Sequence, residues 1–259
     1  MSQSHGINFI TRLTGPTLAD LEPIVTATIV AAGVGILAIT ARRQLMACSS
    51  ESAKLVPCTT FGARTIFEGL VEFVVKMSDT VMGKEKRRYI PFCFTLFIFI
   101  LALNLFGLIP GFSASTDNLP INFGLALVSF VMYHAAGVKG TGLGHYVGHF
   151  FGPKFPGKPA LWVIPFIILF RLFMFGIELI SHFVRPVTLS LRLYGNMLAD
   201  HTVLMSFMAM VGQYLIPVIF YLLGAFICLV QASVFTLLTM VYIKLAVGEE
   251  SGSEHAAGH

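Results

Sequence analysis

Charge is what this chain has least of. Asp, Glu, Lys and Arg together make up 12% of its 259 residues, and 56% are hydrophobic. Soluble globular domains carry about 25% charged residues, so an ordinary soluble domain is excluded. Cysteine is scarce as well. Cys48, Cys58, Cys93 and Cys228 form no CxxC pair, which leaves neither a disulfide framework nor a thiolate zinc site. The Gly-rich stretch 139–160 lacks a G-x-G-x-x-G after a strand pattern, so a nucleotide site is not supported. His145 and His149 there are four apart but belong to no H-E-x-x-H, and a solvated loop is the better reading than a metal site. There is no internal repeat of the kind that builds many secondary transporters. A metal motif or nucleophile–base pair, which an intramembrane hydrolase needs, is also missing. No cofactor, metal or nucleic acid is expected.

What the chain does have is long uncharged runs. Tyr89–Thr116, Asn118–Val138 and Thr202–Ile243 contain no Asp, Glu, Lys or Arg. Runs of that length predict transmembrane helices. The expected fold is an all-α polytopic membrane protein with five membrane-embedded helices, including a long tilted C-terminal hairpin, plus one amphipathic interfacial helix. Read as a single membrane domain, 1–259 divides into an external segment (1–22), a first span (23–41) and an amphipathic helix on the cytoplasmic side (61–86). Two further spans (90–110 and 120–138), a long hairpin (160–246) and a flexible tail (247–259) follow. Arg42 and Arg43 follow the first apolar run instead of preceding it, which argues against a cleaved signal peptide. Residues 42–89 hold nine Lys and Arg, so the positive-inside rule puts them in the cytoplasm, the N-terminus outside and the C-terminus inside. The apolar stretch from Ala160 to about Met210 is far too long for one perpendicular crossing. As one helix it would run about 75 Å against a hydrocarbon core of about 30 Å, so it must tilt strongly or break, with Arg185-Pro186 the obvious place for a kink.

Ionisable groups are threaded through that stretch. Glu178, His182, Arg185, Leu189, Arg192 and Asn196 follow one another at intervals of 4, 3, 4, 3 and 4, which puts them along one helical stripe. Arg192 stands out, because no acidic residue occurs in the ten positions before it and an arginine cannot shed its charge. Within a bilayer it costs about 2.5–3.5 kcal/mol on insertion scales, so such residues are retained for function. The bland alternatives are snorkelling to the headgroups or a structural ion pair. Glu178, His182, Asp200 and His201 supply the carboxylates and imidazoles that a protonatable path needs. Glu178 lies about four turns, roughly 21 Å, from Arg192 and cannot pair with it on one helix. Its bland reading is a pair with His182 at i+4, and that of Asp200–His201 a headgroup-level cap. Asn104, Asn196 and Gln231 are polar groups in apolar spans that could simply bridge helices. A fixed cation between two acidic, hydrated pockets would repel a hopping proton and attract a mobile carboxylate.

The run RPVTLSLRLYGNMLADH (Arg185–His201) resembles the signature of subunit a of rotary F-type ATP synthases, K/RPxxLxxRLxGNxxA around an essential arginine. NLFGLIPG, from Asn104, and QASVFTLLTMVYIKLA, from Gln231, agree with it in order and spacing. The resemblance covers essentially the whole chain. It implies a non-catalytic stator subunit of a proton-translocating ATP synthase in the bacterial inner membrane. Its expected partners are a ring of c subunits, b-type peripheral stalk subunits, the rest of the complex and membrane lipid. By the same resemblance Arg192 faces the ring carboxylate, and Glu178 faces the cytoplasmic exit path. Asn104, Asn196, His201 and Gln231 occupy polar positions around the arginine and the inlet from outside. One departure stands: some members pair a Glu after the GNMxAx run with a His seven residues before the glutamine. Here those positions hold His201 and Gly224, so the inlet acid is either Asp200 or a residue from elsewhere.

Overall fold

The computed structural model describes residues 22–47, 63–109, 115–142, 164–211 and 216–247. The segment 1–21, Cys48, Cys58, His145, His149 and the tail from 248 lie outside these. The described chain is helical, with no strand. It comprises α1 (Glu22–Ala47), α2 (Ala63–Val81), a 3-10 turn (Lys84–Tyr89), α3 (Ile90–Gly107), a second 3-10 turn (Ser115–Asp117), α4 (Leu119–Thr141), α5 (Ile164–Val211) and α6 (Ile216–Val247). Five of these, all but α2 and the short turns, are long and apolar enough to cross a membrane. With no water to accept backbone hydrogen bonds, helices are the solution such sequences must adopt. The protein is thus an all-α, multi-pass membrane protein. It falls into two compact units: residues up to Asn122 with Arg192–Met240, and Phe123–Leu191 with Val241 onward.

In the first unit α1 packs against α2, α3 and the 115–117 turn, and α2 also lies along α3. α2 buries Val74 and Ser78, with Met82 buried just past its end, and exposes Glu72, Lys76 and Thr80, the two-faced pattern of an interfacial helix. Phe67 meets Phe94 edge-on at 5.8 Å, and Phe73 meets Phe97 at the same centroid distance. On the polar face Lys76 sits 2.7 Å from Glu72, and this partner holds the Glu72 carboxyl below the usual carboxylate range. Of the basic cluster before α3, Arg87 grips Asp79 through both arms of its fork, at 3.2 and 2.8 Å. α3 opens with Pro91 in its first turn, where a missing N–H costs nothing. Its buried stripe is Cys93, Leu96, Phe97, Ile100, Leu103, Asn104 and Gly107. Asn104 is therefore in phase with the packing face. α6 contributes a matching stripe of Gly224, Cys228, Gln231, Ala232, Phe235, Thr236 and Thr239. Small and polar residues at helix contacts are what membrane packing favours, because lipid competes equally well for large apolar side chains.

In the second unit Ser129, Tyr133 and Ala136 of α4 are buried, and so are His182, Pro186 and Leu189 of α5. The large apolar residues of the same helices, such as Val131, Ile180 and Phe183, face outward. α5 does not break at Arg185-Pro186: helix continues through Pro186 from Ile164 to Val211. Proline withdraws one N–H and frees the carbonyl four residues back. Nearby hydroxyl groups add side-chain bonds to other carbonyls of the same stretch of helix. Thr188 donates to the carbonyls of Val184 and Arg185 at 3.0 and 2.9 Å, and Ser190 to Val187 at 3.0 Å.

Candidate functional site

The stripe on α5 is not uniformly covered. His182 and Leu189 are buried, Glu178 and Arg185 half-buried, and Arg192 and Asn196 exposed. Periodicity aligns side chains but does not decide what packs over them. Polar groups gather in each unit separately.

In the second unit His182 is the centre. Its Nε2 lies 3.3 Å from Glu178 Oε1 and its Nδ1 3.0 Å from the Tyr133 hydroxyl. The Glu178–His182 contact is the i+4 pair the spacing allows. The Tyr133 contact comes from another helix. The Tyr133 ring stacks on His182 with 17° between planes, and the His134 ring lies 5.0 Å from that of His182. The Arg185 guanidinium sits over Tyr242 at 5.0 Å and near the Tyr133 ring at 5.9 Å. Such cation–π contacts contribute about 0.5–2 kcal/mol, more as water is excluded. Tyr133 and His134 were not among the residues singled out from sequence, and Tyr242 reads there only as a packing residue. The signal was available: Tyr133-His134 is a polar pair inside an uncharged run.

In the first unit Asn196 Nδ2 donates to Gln231 Oε1 at 2.6 Å, joining α5 to α6. His201 Nδ1 lies 2.7 Å from Asp117 Oδ2, and His201 Nε2 3.3 Å from the Gly107 carbonyl. Asp117 had drawn no attention in the sequence, being a single acid in a short loop. Asp200, next along the helix, turns instead toward α6. A Cβ on Gly224 would stand 2.9 Å from Asp200 Oδ2 and 3.0 Å from Leu108 Cδ1. The bare position 224 is thus filled by the Asp200 carboxylate, a physical reason for glycine there. Asn104 is fully buried, and neither its Oδ1 nor its Nδ2 has a partner among the described residues. The same holds for Gln231 Nε2 and Thr236 Oγ1.

Arg192 belongs to neither network. It is exposed and makes no hydrogen bond or ion pair with any described residue. One turn on, Gly195 has nothing within 4 Å of where a Cβ would stand. Among the described residues no three metal-ligating side chains converge.

A multi-pass helical protein that carries carboxylates, imidazoles and amides in and beside its spans, with an arginine left over, has the makings of an ion pathway. The comparisons with known proteins define the family. The profile of the family described as ATP synthase A chain matches residues 24–244. The ATP synthase subunit a of Bdellovibrio bacteriovorus is 39% identical over 236 residues, 91% of this chain and 94% of that one. The subunit a of Geobacter sulfurreducens is 36% identical over 205 residues (79% and 83%), and that of Campylobacter jejuni 37% over 206 residues (79% and 84%). The chain belongs to the ATP synthase A chain family.

Proposed function

We propose that this protein is the stator subunit a of a rotary F-type ATP synthase in a bacterial inner membrane, with its N-terminus outside and its C-terminus in the cytoplasm. It provides two offset proton half-channels and performs no nucleotide chemistry itself. The Asp117–His201 side, with Asp200, Asn104, Asn196 and Gln231, serves the inlet. The Glu178–His182 side serves the exit. In chain order Arg192 falls between Glu178 and His201, and its fixed charge prevents a proton from passing directly from one to the other.

The observation that carries the reading is the unpartnered Arg192. A guanidinium in an apolar span costs about 2.5–3.5 kcal/mol if left alone, and the described residues offer it no counter-ion. The missing partner is an anion on another chain. A ring of c subunits, each presenting one carboxylate, supplies it in turn. The open space at Gly195 lets such a ring approach the helix backbone closely. The b-type stalk subunits hold the stator against the resulting torque.

The test is Arg192→Ala in the assembled complex, assayed by ATP-driven acidification of inverted vesicles. Pumping is abolished while the subunit remains in the membrane and co-purifies with the ring. Sustained pumping by this variant refutes the role.

A further inference from the structure

Resting on the inlet assignment above, we propose that Asp117 is the acid of the inlet relay, exchanging protons with His201 inside a hydrated chamber lined by Asn104, Ser115, Thr116 and Asn122. The inference starts from polar atoms that the fold buries and leaves unserved. Asp117 Oδ1, both polar atoms of Asn104, Ser115 Oγ, Thr116 Oγ1 and Asn122 Oδ1 are all buried without a partner among the described residues. Buried polar atoms are nearly always hydrogen-bonded, and each failure costs about 1–3 kcal/mol. One orphan is an irregularity, but these are concentrated in one turn, in the first turn of α4, and on the face of α3 that packs against that turn. Water is the partner that suits such a place, being small and able to donate and accept. The lining is ordered, not slack: Asn122 Nδ2 donates to the Thr116 carbonyl at 2.6 Å.

Geometry selects the acid. Asp117 Oδ2 is 2.7 Å from His201 Nδ1, within the range of a charge-assisted hydrogen bond, and its other oxygen is the unpartnered one facing the chamber. Asp117 therefore touches the relay histidine with one oxygen and is free to take up a proton with the other. His201 continues the line through Nε2 to the Gly107 carbonyl at 3.3 Å, one helical turn from Asn104. The other titratable groups around the pair are Asp200, packed against Gly224, and the Cys228 thiol. Asp200 is close enough to act electrostatically on both Asp117 and His201, while its carboxylate packs beside Gly224 of α6. Proton balance is simple. Uptake at Asp117 converts the carboxylate to the acid, release from the imidazolium leaves neutral imidazole, and transfer of the acid's proton to that imidazole restores both. One proton enters and one leaves.

The experiment uses the whole complex in inverted vesicles, with Asp117→Asn, Asp117→Glu and the exchange variant Asp117→His with His201→Asp. ATP-driven acidification is measured across pH, alongside the amount of subunit retained in the membrane. Asp117→Asn lowers the initial rate by about tenfold or more, as loss of a proton-transferring group does, and alters the shape of the pH profile. Asp117→Glu and the exchange variant recover most of the rate. The proposal is overturned if Asp117→Asn keeps the wild-type rate and profile, or if its defect merely follows loss of the subunit from the membrane. It is equally overturned if neither rescue variant pumps better than Asp117→Asn. Arg192→Ala run in parallel separates the two readings. An active Arg192→Ala sinks the channel assignment, whereas an inactive one beside a normal Asp117→Asn sinks only the role of Asp117.

Discussion

Tyr133→Phe removes one oxygen atom from the cluster around His182 and nothing else. The ring stays, so the stacking on His182 and the approach of Arg185 to the aromatic face are kept. What disappears is the 3.0 Å hydrogen bond to His182 Nδ1. Hydrogen bonds between membrane helices contribute about 0.6 kcal/mol on average and up to about 1.7. With tenfold per 1.4 kcal/mol, that range corresponds to about threefold to sixteenfold in the equilibrium between the working orientation of His182 and others. ATP-driven acidification by the variant complex is expected to fall within that span, with assembly unchanged. Tyr133→Leu also deletes the ring, which adds the loss of a contact with Arg185 of about 0.5–2 kcal/mol. It is expected to be slower still and to lower the temperature at which the complex dissociates. The assay is the initial rate of acidification together with thermal dissociation followed by native electrophoresis. If Tyr133→Phe pumps like wild type, the hydroxyl does not orient His182. If Tyr133→Leu is no worse than Tyr133→Phe, the aromatic seat of Arg185 contributes nothing.

Two further variants probe the same networks. Glu178→Gln keeps the shape of the side chain but cannot hold a proton at the His182 contact, so proton flux is expected to fall partially without loss of assembly. A rate equal to wild type would leave Glu178 as no more than a helix-surface partner of His182. Gly224→Ala places a methyl group within about 3 Å of the Asp200 carboxylate and Leu108, a distance at which something must shift. Overpacking of this kind destabilises by about 1–3 kcal/mol. A lower dissociation temperature with reduced pumping is expected, relieved by Asp200→Gly in the same chain. An Asp200→Gly background that leaves the Gly224→Ala defect untouched would show that the carboxylate is not what fills the space.

The polar residues of this protein divide by how many helices it takes to explain them. Arg192 needs only one. Its isolation is visible along the chain, and it has no partner among the described residues. Glu178 with His182 also needs only one, since four residues bring them together on any helix. Asn196 with Gln231 needs two, and only their shared apolar context hinted at it. Asp117 could not have been singled out, because a lone carboxylate in a loop has no periodicity to betray its role. Asp200 stands next to His201 in the chain, yet it is Asp117 that meets His201 Nδ1. Neighbours on a helix point about 100° apart, so adjacency to His201 does not put Asp200 where His201 points.

Composition and spacing alone determined that this chain is a bundle of membrane helices. A backbone deprived of water must bond to itself, and uncharged runs of this length tolerate no other environment. They also determined that one arginine is out of place, because its charge cannot be titrated away. Only tertiary structure decided which acid meets His201, which hydroxyl meets His182, and why position 224 is bare. Those contacts join residues far apart in the chain. Helical periodicity fixes the direction of a side chain about its own axis but says nothing of what stands opposite.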